Sequence, residues 1–391
     1  MSKVMVRRFR KNDLEKTLQF LRSIFGGWHS LRQWNWKFRD VEKAQGRKSI
    51  IWVMEADGKI AGHLAAIPMK LRIGTEVVPV CQLVDGATSP QYRHKGLYRK
   101  LFQALLNDVA ESGFVATFGF ANRFFYHLCE RQGSFKNIYP IKKMFRVLSL
   151  RNAADTLRIN LSEKSADTGE DSLLKDFFFA QKEKAFFMLL DFVRKVLVST
   201  TISILGSRSK PNKIELPEIE PKSLGTEFDG SWINLYRDYK FAFERDKESL
   251  NWRYSNPEAD YRAYVVRKGN TVAGYVVTAL EEKSINLGGL RFSGPKEGFI
   301  VDLVAEKDLI LPLISAAEEE LKKRQACWVE CWATDDSHLF KTLRTGMYHQ
   351  LPDQMYKVYF VAKVHAQQLK GKISAEYSKD ILVSLGDSDI V

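Results

Sequence analysis

The sequence predicts an α/β protein built around a mixed sheet, and it predicts that unit twice. Three observations lead there. Strand-like apolar runs alternate with helix-like runs through residues 1–150. Segments of the same kind return in the same order over residues 226–365. Finally, the apolar strand Cys81 to Ala87 runs into a basic, glycine-bearing turn, Thr88 to Tyr98, that opens on the helical run Arg99 to Leu106.

The elements of the first unit follow in order. Ser49 to Glu55 and Lys59 to Pro68 read as a hairpin, with Asp57-Gly58 as its turn and Gly62 expected to break the second strand. Phe114 to Phe120 reads as a buried strand, after which Ala121-Asn122 opens a helix that stops at Gly133. Between them lies the basic turn. The first amides of a helix lack intrahelical partners, and the helix dipole adds partial positive charge there. Arg93, His94 and Lys95 stand at that mouth, and Gly96 lets backbone approach a ligand closely. The arrangement suits a pyrophosphate, although an ordinary strand, turn and helix with solvated basic residues has the same outline.

Thr88-x-Pro90 and Arg93-His94-Lys95-Gly96-Leu97-Tyr98 resemble the acetyl-CoA loop of the GCN5-related N-acetyltransferase (GNAT) family. Gly133-Ser134-Phe135 resembles that family's closing Gly-Phe pair with one residue inserted. The resemblance covers residues 1–150 and implies acetyl-CoA as co-substrate. It implies a backbone N–H near Ala87 or Thr88 that polarises the thioester carbonyl. Arg93, His94, Lys95, Gly96, Leu97 and Tyr98 would lie along the pyrophosphate, and Asn122, which also suits a helix N-cap, near the pantetheine arm.

Two departures stand out. Tyr98 occupies a position that is usually small in the family, where it would narrow the cradle or wall it with an aromatic ring. Cys129 stands where many members carry a tyrosine that protonates the leaving thiolate. Tyr126, three residues earlier and on the same helix face, is the expected substitute, with a packed aromatic as the plainer alternative. Asp85 is the candidate base, although Asp302 at the equivalent place of the second unit allows a structural role for both. His63 and His94 are weaker candidates. Trp28, His29, Trp34 and Trp36 fall where the family lines its acceptor cleft, or else in the core.

The second unit aligns with the first at several ordered points. Trp34 to Phe38 matches Leu250 to Tyr254. Ile51 to Gly62 matches Ala263 to Gly274, Leu83-Val84-Asp85 matches Ile300-Val301-Asp302, and Leu128 to Gly133 matches Lys341 to Gly346. After Asp302 there is no Arg-x-x-Gly, and Glu306 and Asp308 would repel phosphate. The expectation is two GNAT (acyl-CoA N-acyltransferase) domains joined by a helical linker: a catalytic domain over 1–150, an amphipathic helix and linker over 151–225, a degenerate domain over 226–365, and a C-terminal tail over 366–391. In the linker, Phe186, Leu189, Leu190, Val193, Val196, Leu197, Thr200 and Ile204 share a helix face. Asp191, Arg194 and Lys195 interrupt the run, which argues against a membrane span and for a helix that covers a domain. An interfacial membrane helix over 186–205 or a dimer contact is the alternative.

Composition narrows the function. The net charge of +13 comes from 60 basic residues interspersed among 47 acidic ones, without a dense basic stripe, which favours small anionic ligands over nucleic acid. Cys81, Cys129, Cys327 and Cys331 form no disulfide framework, and Cys327-x-x-x-Cys331 lacks the companions of a metal site, so no metal is expected. The residues after Met1 show no signal-peptide core, which points to the cytoplasm. The reading is an acetyl-CoA-dependent N-acetyltransferase acting on a small-molecule or sugar amine through a direct ternary complex. Two rivals remain: a CoA-binding scaffold without turnover, and a tRNA-dependent aminoacyl transferase of the peptidoglycan-bridge type. Acceptor identity, amine against hydroxyl, and oligomeric state stay open.

Overall fold

The computed structural model describes residues 4–25, 29–133, 135–149, 151–152, 214, 217–227, 232–235, 239–287, 290–351, 358–367 and 381–388. The amphipathic helix expected within 173–205, the acidic stretch before it, most of the expected linker and Trp28 lie outside the described residues.

The first half opens with β1 (Val4–Arg8) and α1 (Leu14–Phe25). A helical segment follows, α2 (Leu31–Asn35), which widens into one π-helical turn at Trp36–Asp40 and ends as α3 (Val41–Gln45). Then come β2 (Ile50–Ala56), β3 (Lys59–Ile73), β4 (Glu76–Thr88), α4 (Leu97–Glu111), β5 (Ala116–Ala121), α5 (Arg123–Gly133) and β6 (Lys136–Val147). The Asp57-Gly58 turn forms as expected, both residues at positive φ (49° and 75°) as a tight hairpin requires. Gly62 does not break its strand. It sits beside a bulge at Ala61, where a Cβ would come within 3.0 Å of Met54, and β3 runs on unbroken.

The second half repeats the pattern. It has the edge strand β7 (Glu218–Ile219), β8 (Phe241–Phe243), the helix Lys247–Arg253, β9 (Tyr261–Lys268), β10 (Thr271–Leu287) and β11 (Leu290–Ala305). The helix Ile310–Lys323, β12 (Trp328–Thr334), the helix His338–Thr345, β13 (His349–Gln350), β14 (Val358–Val364) and β15 (Ile381–Leu382) complete it.

Among the described residues the fifteen strands belong to one sheet, whose main path runs β1-β2-β3-β4-β5-β14-β6-β12-β11-β10-β9-β7. The order shows a reciprocal exchange. β14, the second half's late strand, pairs antiparallel with β5 of the first half, and β6 of the first half pairs antiparallel with β12 of the second. β14 and β6 then pair with each other and close the seam. Neither half completes its sheet without a strand from the other.

The apolar periodicity sorts the helices to the two faces. Leu101, Phe102, Leu105, Leu106 and Val109 of α4 pack with Leu64, Ala66, Cys81 and Leu83 on the outer face of the first half. Ile310, Leu313, Ile314, Ala317 and Leu321 do the same for the second. The inner faces share one core, in which Leu18, Leu21, Trp34 and Phe38 meet Trp252, Tyr275 and Val301. At its centre two equivalent residues of the repeat touch. The Trp36 and Trp252 rings stack at 5.5 Å, and each indole N–H donates to the other's backbone carbonyl (2.7 and 2.9 Å). The π-helical turn aims Trp36 at this contact.

The stretch read as a C-terminal tail is partly structural. β15 pairs with β8, and Leu385 and Asp387 are buried, because Asp387 meets Arg245 and Arg253 inside the molecule. Sequence periodicity misses this anchor because it is two residues of strand followed by a polar clamp. Among the described residues no helix is long and apolar enough to cross a membrane.

Candidate functional site

β4 carries the candidate site on a bulge. Its register with β3 slips between the pairs His63↔Ala87 and Ala65↔Val84, which sets Asp85 and Gly86 together opposite Leu64, and Asp85 takes φ 53°. On its other edge β4 pairs with β5 only from Val80 to Gln82. Beyond that the ladder between the two parallel strands ends, so the edge of β4 from Leu83 to Thr88 is not paired with β5. Ala87 and Thr88, the expected backbone donors, lie on this open edge, and the Thr88 hydroxyl is buried without a partner.

The basic turn leaves that edge as a left-handed cradle. Pro90–Tyr92 form a 3-10 turn, and His94 and Gly96 both hold positive φ (60° and 70°). Gly96 is the N-cap of α4, with no side-chain cap over the amides of Leu97, Tyr98 and Arg99. Arg93 donates from Nε to the Thr88 carbonyl (3.2 Å), which fixes its stem, and Lys95 lies over the Tyr92 ring at 5.6 Å. A Cβ on Gly96 would meet nothing within 4 Å, so conformation rather than space calls for glycine there. Alternating left-handed residues with open amides and basic side chains form an anion-binding concavity.

Consecutive residues of the bulge face opposite sides of the sheet. Asp85 points to the inner face. Its Oδ1 lies 2.9 Å from Lys37 Nζ and 3.7 Å from His29 Nε2, while Oδ2 is buried without a partner. Burial pushes this carboxyl up, but the Lys37 charge and His29 more than reverse that, and it sits well below the usual carboxylate range. His63 Nδ1 lies 2.9 Å from the Asp85 carbonyl oxygen. A carbonyl only accepts, so Nδ1 carries the proton and Nε2 presents a bare lone pair, itself buried without a partner. Burial holds His63 below its ordinary pKa, hence neutral. A small cavity lined by His29, Ser30, Gln33, Trp34, Lys37, Phe38 and Asp85 adjoins this cluster.

Gly86 points to the outer face, towards α4 and α5. The Tyr98 hydroxyl fills the space a side chain there would take, 2.5 Å from an idealised Cβ. Tyr98 packs with Phe102 (6.3 Å) beside the apolar cluster that holds Cys129. Cys129 is fully buried, and burial pushes its thiol up to about 12. Tyr126 packs at the margin of the same cluster. It stacks on Tyr359 of β14 at 4.2 Å and donates to Glu130 Oε1 (3.0 Å), so the exchanged strand walls this end of the site. Asn122 caps α5, accepting from the Phe125 amide at 2.9 Å, and is exposed. His94 is exposed on the turn. Sequence reasoning missed Lys37 and left His29 and His63 aside; the signal for Lys37 was its place in the repeat, opposite Arg253.

The second half holds the equivalent positions differently. Asp302 accepts from Arg245 Nε and Nη2 (both 3.0 Å), Tyr254 (2.9 Å) and Tyr275 (2.7 Å). Tyr275 stands where the first half has His63, Tyr254 where it has Phe38, and buried Leu303 where it has Gly86. Glu306 and Asp308 engage Lys268, and no residue from 303 to 310 takes positive φ. One half has a saturated carboxylate and no cradle; the other has an unsaturated carboxylate beside one. Among the described residues no three His, Cys, Asp or Glu side chains gather as a metal site requires.

Residues 5–134 match the sequence model of the acetyltransferase (GNAT) domain. No curated protein sequence matches the chain. Among solved structures, the fold is similar to a GCN5-related N-acetyltransferase from Anabaena variabilis, with TM-score 0.54, 12% identity, and 93% of this chain and 73% of that one covered. It is also similar to N-myristoyltransferase of Saccharomyces cerevisiae with bound myristoyl-CoA, with TM-score 0.58, 12% identity, and 93% and 79% covered.

Proposed function

We propose, from the premise that residues 5–134 place this chain among the GNAT acyl-CoA-dependent acyltransferases, that it transfers an acetyl group from acetyl-CoA to an amine of a small molecule or sugar. The observation that carries this reading is the bulge at Asp85-Gly86. It sets an unsaturated carboxylate on the inner side of β4 and the mouth of the phosphate cradle on the outer side, with an open strand edge between them.

The residues fit an acyl-CoA. His94 and Gly96 hold the turn open for the pyrophosphate, Arg93, Lys95 and the amides of Leu97 and Tyr98 supply positive charge, and Asn122 lies at the far side of the site. The amides of Ala87 and Thr88 lie where a thioester carbonyl would be polarised. When bound, the thioester supplies an acyl carbon already activated for attack. Asp85, kept ionised by Lys37, receives the acceptor's ammonium on Oδ2 and draws off its proton, with neutral His63 and the neighbouring His29 ring as the relay. Both substrates are then held at once on opposite sides of one strand, which suits direct transfer. The second half, lacking a cradle, is a degenerate copy that walls the acceptor side and lends β14 to the site.

Charge reversal in the cradle tests the reading. Arg93→Glu and Gly96→Glu should each weaken CoA binding about tenfold or more in calorimetry, since each sets an acid against the pyrophosphate. Unchanged binding in both variants overturns the site. Thiol release from acetyl-CoA with a panel of amines then separates transferase from scaffold, which binds and releases nothing. Running the panel with myristoyl-CoA as well decides acyl length.

A further inference from the structure

We propose that the phenol of Tyr98 is the proton donor to the leaving thiolate, taking from α4 the role expected of a tyrosine on α5. The inference rests on the acyl-transfer reading of the site and adds a residue role to it.

Three observations on the outer side of the bulge point there. The Tyr98 hydroxyl is buried and has no hydrogen-bond partner among the described residues. Leaving a buried hydroxyl unpaired is unfavourable, and a phenylalanine would fill the same volume without that cost. Packing therefore explains the ring but not its oxygen. Secondly, the oxygen lies directly beneath Gly86, an exposed residue on the stretch of β4 that β5 leaves unpaired, so one residue of backbone separates the hydroxyl from the open strand edge. A side chain at residue 86 would occupy the oxygen's place, and the second half, which has no cradle, carries buried Leu303 at that position. Thirdly, Tyr98 packs in the same apolar cluster as Cys129. Tyr98 thus brings a hydroxyl to the α5 position that a buried thiol leaves without one. Burial disfavours the phenolate, so the hydroxyl carries its proton in the resting site.

The step balances within the two substrates. A bond forms between the amine nitrogen and the acyl carbon, the carbon–sulfur bond breaks, and its electron pair leaves on sulfur. Sulfur takes the Tyr98 proton. The proton given up by the amine on the Asp85 side returns through water to the phenolate, so no other reactant is needed.

Tyr98→Phe isolates the oxygen, because the ring and its contact with Phe102 stay. The expected kcat falls about a hundredfold, within the range of a lost general acid, while the Kd for CoA stays within about twofold. A second readout needs no turnover. The thiol of bound CoA, followed by thiolate absorbance against pH, should ionise about one pH unit lower in the wild-type protein than in the variant, a tenfold difference in ionisation constant. Equal thiol titrations together with unchanged kcat would overturn the proposal while leaving acetyl transfer standing. Absence of CoA binding and thiol release in the wild-type protein would instead sink the acyl-transfer reading on which it rests.

Discussion

Replacing Asp302 by alanine should cost the fold about 3–5 kcal/mol, the range for removing one partner of a buried ion pair. Asp302 and Arg245 have side chains only 1% exposed, and the carboxylate accepts four hydrogen bonds from three residues. Without it the hydroxyls of Tyr254 and Tyr275 lose this buried acceptor, and Arg245 loses its bidentate partner while keeping its bonds to Asp387, Ser384 and the Phe243 carbonyl. The loss also reaches the chain end, because Asp387 is shared with Arg253 and helps hold β15 against β8. Urea unfolding monitored by tryptophan fluorescence measures it, and a change below about 1 kcal/mol would contradict the network's role. The pH dependence has a fixed sign. Burial pushes the Asp302 carboxyl up, but Arg245 and the tyrosine hydroxyls pull it further down, and its folded pKa ends below the ordinary value. A depressed acid contributes its stability in full above the unfolded pKa of about 4 and loses it as pH falls towards the folded value. The wild-type protein should therefore weaken below about pH 4 more steeply than Asp302→Ala.

What the sequence made legible was local. The Asp57-Gly58 hairpin, the strand before the cradle, the Gly96 turn and the α4 apolar face each depend on residues close together in the chain, and each stands in the structure as expected. The matching runs that hold Trp36 and Trp252 were legible too, and the two rings meet in the shared core. The exchange of β6 and β14 was not. Both strands are apolar segments that would fit beside either β5 or β12, and partner choice in a sheet is set by the whole assembly. The inner-face cluster was only half visible. Asp85 was identifiable from its place before the turn, whereas Lys37 reaches it through a π-helical turn that no periodicity announces, and His29 reaches it from the stretch ahead of α2. Tyr98 was read as part of the cradle wall; its oxygen is buried against Gly86 because a bulge turns that glycine outward, a backbone detail invisible in composition.

Asp85→Asn should abolish most turnover, with kcat/KM down about 10³-fold, while the equivalent position in the second half governs stability instead. The two carboxylates differ in what remains unsatisfied. Asp302 has every oxygen engaged, whereas Asp85 leaves Oδ2 open next to a neutral histidine with a bare Nε2 and beside a cavity lined by aromatic rings. A carboxylate serving only to hold Lys37 would predict a different result. Its amide would lose the ion pair, strand the Lys37 charge, and destabilise the fold, with activity lost only through unfolding. The double variant Asp85→Asn with Lys37→Met separates the two. Removing both charges relieves the buried ammonium, so unfolding by urea should return close to the wild-type midpoint. If Asp85 takes the proton from the amine, turnover stays low in the refolded double variant and CoA still binds in the cradle on the other side of β4. Recovery of turnover along with stability would reduce Asp85 to a partner for Lys37 and move the search for the base to His63 and His29, whose orphaned ring nitrogens lie in the same cluster.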